Sequence, residues 1–404
     1  MNFRHIWIVF SKEAKDIVRD KKTIITSIIV PMVIIPLLSI LAGGSVRNMQ
    51  KDIEQNVTIA LTRESNTTEI RELITRDIIA AFPNINLIDV EDPIEAINNS
   101  EVRIVLDVEK DYKEKLEQGK PFVIEIIYDK SQTKSVGSVS IISKAINEFN
   151  KRIAAERLEK MGIDDKILKP VKIEETNVAN DEKTGLSMLM MILPVLLVIL
   201  ISAGGIAPAT DLVAGEKERN TFEPLLTTKA ERSSILIGKY LTVTLFSFVS
   251  VIASILGMVL GYFIDPKSMT LGTGAQFSGF SISGTALLMI LIISILMGMT
   301  FAGIQIALST YAKSFREAQT YLSFLIVITM IPSYATIFMQ PNEIPLYMYV
   351  VPVLNTISAF KTVLGVNINY TYLAIALTSS SIYVIISLKI AISLFNREKV
   401  LFRS

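Results

Sequence analysis

Apolar positions along this chain fall into long, almost charge-free runs and short, alternating ones. Six runs, at 23–42, 186–209, 240–264, 285–309, 320–338 and 372–395, reach bilayer length, about 20 residues for a helix. A charge at the centre of a span costs roughly 2.5–3.5 kcal/mol, so these runs predict membrane helices rather than buried helices of a soluble protein. Lys389 lies near the end of the last run, where its stem reaches the interface. Pro31 and Pro36 fall inside the first, a kink that membrane helices tolerate when neighbours satisfy the freed carbonyls. This run is longer than a signal-peptide core and follows a 22-residue leader, so it is expected to stay as an uncleaved span.

Between the first two runs the pattern shortens. Segments 57–61, 103–108 and 122–128 are β-branched and strand-like, while 68–81 and 136–161 are helical. Ile141, Ile142, Ala145, Ile146, Phe149 and Ile153 form one stripe of the longer helix, at the 3.6-residue period. The chain therefore reads as an α-helical polytopic membrane protein of six spans. A mixed α/β extracytoplasmic domain at 43–185 is inserted between the first span (23–42) and a five-helix region at 186–395. Residues 1–22 form an amphipathic helix, with Phe3, Ile6, Trp7, Phe10, Ala14 and Ile17 against Lys12, Lys15, Asp16 and Arg19. Such a helix suits the inner membrane surface, as a plain anchor or as a contact for a cytoplasmic partner.

Charge sharpens this picture. The 404 residues are 50% hydrophobic and 20% charged, with mean hydropathy +0.46, which excludes a single soluble domain, a disordered chain and a nucleic-acid binder driven by bulk charge. The net charge of +1 conceals a partition: 43–185 holds 21 Lys and Arg against 27 Asp and Glu, and the rest holds 19 against 12. With the N-terminus inside, segments 1–22, 210–234, 311–319 and the tail 396–404 carry 15 basic residues, whereas the short outer loops carry only Lys267 and Lys361. The positive-inside rule then places both termini in the cytoplasm of a plasma-membrane protein, and 43–185 outside. The apolar segment 344–365 is broken by Pro345 and Pro352 and is expected to be re-entrant or interfacial, part of a pathway lid, rather than a seventh span. No cysteine is present, so no disulfide staples the outer domain.

The loop 210–234 is more specific than a tether needs to be. A charged helical end, Glu216–Arg219, precedes a turn at Asn220-Thr221 and an apolar group of Phe222, Leu225 and Leu226. Exposed apolar side chains framed by charge make a docking surface. From these residues the chain resembles a type-2 ABC exporter permease, and more narrowly the sodium-efflux (NatB-like) group. The matching positions are Gly215-Glu-Lys-Glu-Arg219, Thr221, Glu223-Pro-Leu-Leu226, the run Lys12–Thr23 and the closing Arg397–Arg403. The resemblance covers the whole chain, and its motifs mark the permease class better than the substrate. Asn220, Phe222 and Lys229 stand where such loops often carry Gly, Leu and Pro, which puts the turn geometry in question.

The resemblance implies a dimer of permeases with two cytoplasmic ABC ATPase chains, ATP and Mg²⁺ residing in the ATPase and no cofactor in this chain. Glu216, Glu218, Arg219, Thr221, Phe222, Glu223, Leu225 and Leu226 would then couple to the ATPase, with Glu216 and Glu218 presenting charge to its groove. No G-x-x-x-x-G-K-[ST] occurs, so hydrolysis is expected in the partner rather than here.

Enzyme motifs are weak. Ser131-Gln-Thr-Lys134 and Lys183-Thr-Gly185 match S-x-x-K and K-T-G, but no S-D-N lies between them. With one histidine and no cysteine, a zinc enzyme has no usual ligand set. For the substrate, the spans offer no carboxylate. Gln305, Asn355 and the break at Pro352 supply the polar groups of a candidate pathway for Na⁺ or another small cation or toxic compound. A drug, antibiotic peptide or lipid-like cargo suits the apolar spans equally well. A membrane-anchored sensor or assembly protein that transports nothing is the alternative from another class.

Overall fold

The computed structural model describes residues 2–164, 167, 181–221, 224, 230–266, 283–365 and 368–397, with the backbone path alone over 181–190. The chain divides into two compact units, Met1–Gly44 with Ala179–Ser404, and Ser45–Val178. Among the described residues, six helices are long and apolar enough to cross a membrane.

The first unit opens with α1 (Phe3–Arg19) and α2 (Lys21–Gln55), the latter running past Gly44 into the residues of the second unit. Asp20 separates them. Its backbone is extended, and its carboxylate accepts the amides of Lys22 at 3.0 Å and Thr23 at 3.2 Å, satisfying donors that a helix start leaves free. The Thr23 hydroxyl, followed by those amides, holds the Asp20 carboxyl below its ordinary range. The remaining spans are α7 (Asp181–Gly204, continued through Ile206–Ala209 and Thr210–Gly215 to Glu218), α8 (Arg232–Ile264), α9 (Gly284–Tyr311), α10 (Phe315–Ala335) and α12 (Tyr370–Phe395). Several outrun their apolar runs, because helical hydrogen bonding continues into flanking polar residues wherever nothing stops it.

Helix α8 packs through small residues. It buries Gly238, Gly257 and Gly261 together with Ser247, Ser250 and Ser254, small residues that let backbones approach closely. Its hydroxyls are mostly absorbed locally: Thr242 donates to the Gly238 carbonyl at 3.0 Å, and Ser254 to that of Ser250 at 2.7 Å. Two prolines fix how other spans meet their neighbours, since proline deprives the carbonyl four residues earlier of its donor. For Pro36 that carbonyl belongs to Met32, and it lies directly against Gly257, where any Cβ would collide with it. For Pro208 it belongs to Gly204, and the Ser27 hydroxyl from α2 supplies the missing donor at 2.9 Å.

Segment 344–365 does not form one helix. Pro345 opens the tight turn Leu346–Tyr349, and the chain breaks again at Pro352–Val353 before α11 (Leu354–Leu364). Val353 has φ +70°, a conformation that β-branched residues rarely adopt. All of α11 from Asn355 onward is buried, packed with Leu193 and Leu197 of α7, Ile293 and Met297 of α9 and Leu373 of α12. Its one charge, Lys361, donates to the carbonyls of Thr336, of Ile337 at 3.2 Å and of Met339 at 2.9 Å. Those carbonyls belong to or follow the end of α10, where a helix leaves acceptors free and a cation is favoured.

The second unit is an α/β domain. Strands β1 (Val57–Leu61), β2 (Ile85–Leu87), β3 (Ile104–Val108) and β4 (Ile124–Tyr128) form one sheet in the order β2-β1-β3-β4. β1 is parallel to β2 and β3, and β4 is antiparallel to β3. Between them lie α3 (Thr68–Glu72), α4 (Pro93–Asn98) and α5 (Tyr112–Glu117), and the long α6 (Thr133–Lys160) follows β4. Ile59, Ile104 and Leu106 pack on one face with Ile74 and with Ile142, Ala145 and Phe149 of α6. Ala60 and Val105 face the other side with Ala96 and Ile97 of α4. Burial on both faces is what a largely parallel sheet requires.

Candidate functional site

At the end of the first unit that carries α1, three segments meet on one buried charge. Lys239 Nζ, fully buried on α8, lies 2.9 Å from Glu13 Oε1 on α1 and 2.8 Å from Glu216 Oε1 at the end of α7. Lys12 lies 3.3 Å from Glu13 and 3.9 Å from Glu216, and reaches Asp16 at 3.7 Å. Burial pulls the Lys12 ammonium down, but Glu13, Glu216 and Asp16 outweigh it and its pKa is raised. The buried stripe of α1 is Ile6, Val9, Glu13 and Ile17, which is helical spacing with an acid in an apolar seam. Phe3 and Trp7, read as part of the apolar stripe, are instead exposed. The helix is thus two-faced: one face docks on α8 and the other carries the aromatics. Gly238 permits the docking, since a Cβ there would lie 2.7 Å from Val9.

The end of α7 is tied down along its length. The Ala214 amide donates to Ser309 Oγ at 3.2 Å, and Lys217 Nζ donates to the Ala312 carbonyl at 3.1 Å. Glu218 accepts the Phe315 amide at 2.7 Å, while Arg219 pairs with Asp211. Asn220 takes φ +56°, the left-handed conformation for which Gly is the usual choice and Asn the next. The Asn220 amide donates to the Lys217 carbonyl at 3.2 Å and the Thr221 amide to that of Glu216 at 3.0 Å, the paired bonds of a Schellman stop. Asn in place of Gly therefore leaves a regular turn. Glu216 is turned into the subunit rather than outward, because Lys239 offers it a buried partner. Glu218 likewise holds the start of α10. Of the other expected coupling residues, Phe222, Glu223, Leu225 and Leu226 lie outside the described residues, as does the tail beyond 397.

Beside this network a cleft of about 810 Å³ opens between α1, α2, α7 and α10. Arg19, Asp20, Lys22 and Arg219 line its polar side, and Ile206 and Ile326 its apolar side. Lys22 Nζ stands 5.4 Å above the ring centre of Phe315, within cation–π range.

The three expected pathway residues do not converge. Pro352 and Asn355 share a small cavity of about 50 Å³ with Met297, Phe301 and Tyr383. Asn355 Nδ2 donates to Ser379 and Ser380 Oγ at 2.9 Å each, and its Oδ1 accepts the Thr356 amide at 2.8 Å. That side chain is spent on packing α11 against α12. Gln305 is elsewhere, on α9 against α7, donating from Nε2 to the Ser202 carbonyl at 2.7 Å. The Ser131 and Lys134 pair makes no dyad: Ser131 Oγ donates to Asp129 at 2.7 Å, and Lys134 pairs with Asp52 at 2.7 Å. Among the described residues no group of three or more His, Asp or Glu is placed to hold a metal.

Sequence reading missed Glu13, Lys239 and Lys361 as structural charges. A signal exists for the first two, since Glu13 interrupts the stripe Ile6–Val9–Ile17 and Lys239 stands at the edge of an apolar run. Nothing in the sequence pairs them.

The chain is 25% identical over 362 residues to the ABC transporter permease protein NatB of Bacillus subtilis (strain 168), covering 88% of this chain and 89% of that protein. Residues 21–394 match the family described as ABC-2 family transporter protein. All six long apolar helices lie within or reach into that span, and with it the chain is a multi-pass membrane permease subunit of an ABC transporter, which works with a separate ATPase. The chain belongs to the ABC-2 transporter family.

Proposed function

We propose that this permease exports Na⁺ or another small cation, and that an ATPase bound on the cytoplasmic side drives it through α1 and the loop following α7. The observation that carries this reading is the contact of Lys239 with both Glu13 and Glu216. It ties α1, the end of α7 and α8 at one point, so that in this reading a push on the loop that follows α7 reaches the bundle. Fifteen Lys and Arg in sequence segments 1–22, 210–234, 311–319 and 396–404 support a cytoplasmic location for both termini and an outer location for the α/β domain. In this arrangement Phe222, Leu225 and Leu226 provide the apolar docking contact, Arg219 and Thr221 shape the turn that presents them, and two permeases pair with two ATPases.

Co-purification with the ATPase tests the docking. Phe222→Asp with Leu226→Asp should abolish the complex and the stimulation of ATP hydrolysis; a double variant that still binds and stimulates removes the docking role. Efflux of radiolabelled sodium from proteoliposomes holding both subunits tests the cargo, and the absence of ATP-dependent flux removes the cation reading. A second reading, an amphiphilic drug, peptide or lipid-like cargo, is favoured by the cleft that pairs Arg19, Asp20 and Lys22 with Ile206 and Ile326. ATP-dependent movement of such a compound without sodium flux would decide for it.

A further inference from the structure

Where the helical run of α7 is interrupted at Gly205, three buried oxygens lack partners. Ser202 Oγ, Ser247 Oγ and Gln305 Oε1 are each inaccessible and accept or donate no hydrogen bond among the described residues. They come from α7, α8 and α9, and all three residues are fully buried. A methyl group added at Gly205 would overlap Gln305 Oε1 and lie 2.5 Å from Ser247 Oγ. Two of the oxygens therefore converge against the bare Cα of Gly205. The amide orientation is fixed by chemistry. Nε2 faces the Ser202 carbonyl at 2.7 Å, and a flipped amide would set oxygen against oxygen, so Oε1 must be the atom aimed at Gly205.

Orphaned polar atoms at such depth are costly, about 1–3 kcal/mol each; the two beside Gly205, with Ser202 Oγ on the preceding turn of α7, call for an occupant that oxygens satisfy. An anion is excluded, because the amide presents its oxygen. Soft metals are excluded, because no sulfur or imidazole is present. A divalent ion is disfavoured, because hard divalent sites draw on carboxylates and this cluster has no formal charge. We propose that Ser202, Gly205, Ser247 and Gln305 form a binding site for a dehydrated monovalent cation, held by uncharged oxygens at the interruption of α7. Gly205 contributes by having no side chain, which lets the oxygens of α8 and α9 come up against α7. Gln305 serves doubly, with Nε2 bracing the α7 backbone and Oε1 facing the ion. The assignment rests on the reading of this chain as a cation exporter, and gives that reading a location distinct from the tight cavity at Asn355.

The test is thermal unfolding of the full-length permease in nanodiscs, titrated with NaCl, LiCl or KCl against choline chloride at constant ionic strength. A ligand that binds only the folded state raises the midpoint with its concentration. One alkali cation should raise it saturably while choline does not, and Ser247→Ala should weaken the apparent affinity by about tenfold or more. Ser247→Ala should also be at least as stable as wild type in choline, since it removes an unpartnered hydroxyl; this separates lost ligation from poor folding. Gln305→Leu and Gly205→Ala should abolish the response. Equal midpoints in all four salts, or an unchanged response in Ser247→Ala, would overturn the site and leave these oxygens to a bound water. Sodium efflux that persists alongside either result would place the cargo elsewhere, whereas a saturable response without ATP-driven flux keeps the site and removes the export reading.

Discussion

Replacing Lys239 with methionine removes one ammonium and leaves Glu13 and Glu216 facing the space it filled. Their oxygens lie 2.9 and 2.8 Å from the same nitrogen. They are therefore less than about 6 Å apart, where like charges repel by about 3 kcal/mol at an effective dielectric of 20. Removing one member of a buried pair costs about 3–5 kcal/mol. Protonation sets a ceiling, since holding an ordinary glutamate neutral at pH 7 takes about 4 kcal/mol. Lys12, 3.3 Å from Glu13 and 3.9 Å from Glu216, offsets part of the loss. The expected cost is about 3 kcal/mol, or roughly a hundredfold in the undocking equilibrium of α1. Trypsin cleavage at Arg19, Lys21 and Lys22 in the nanodisc-held permease reads that equilibrium, and should accelerate accordingly. Adding Glu13→Gln removes the repulsion, so Lys239→Met with Glu13→Gln should recover more than half of the loss. If the single variant stays within about 0.5 kcal/mol of wild type, or the double variant loses the full sum of both singles, the network does not fasten α1.

Gly257→Ala should destabilise the bundle by about 1–3 kcal/mol, because its methyl collides with the Met32 carbonyl. Gly44→Ala, with nothing near its Cβ position, should gain up to about 1 kcal/mol as an ordinary helix substitution does; thermal unfolding that gives both the same sign refutes the close contact. Lys361→Met strands three carbonyls beyond α10 and should cost about 3 kcal/mol, with faster hydrogen exchange confined to α11 and the end of α10. In the α/β domain, Arg71 holds Asp89 low, the amides of Glu95 and Ile94 hold Asp92 low, and the Ser131 hydroxyl and amide hold Asp129 low. A depressed folded-state pKa contributes stability fully present above the unfolded value of about 3.9 and lost as pH falls through the folded one. Exchange protection of β3, corrected for intrinsic rate, should thus be flat above about pH 5 and fall in more acid solution. A slope between pH 5 and 8 would contradict this.

Spans and sheet were legible in the sequence for one reason: each rests on a period. The stripe on α6 and the six apolar runs need only local spacing to be read. The break at Pro352 was legible as well, because proline acts on its own chain. β2 was not, since three residues carry no pattern and the strand exists only through pairing with β1. The inner charge network escaped because Glu13 and Lys239 lie 226 positions apart, and helix packing alone brings them together. Glu216 misled for the same reason, as an acid in a charged loop looks solvated until a buried lysine turns it inward. Gln305 was singled out as polar in an apolar run, but its convergence with Ser247 on Gly205 depends on a glycine whose meaning appears only in three dimensions.

The contacts that prolines impose on α2 and α7 are made by main-chain carbonyls, to Gly257 and to the Ser27 hydroxyl. Contacts of this kind do not record which apolar side chain sits beside them. Leu, Ile, Val and Met at exposed positions such as Leu37, Leu38 and Leu41 are expected to exchange without moving the axes. A relative at a quarter identity, as the Bacillus subtilis permease is, is expected to keep this helix spacing wherever it keeps such prolines, glycines and serines. For engineering, the tolerant positions are the exposed apolar ones, and the small and imino residues at the helix contacts are those to leave alone.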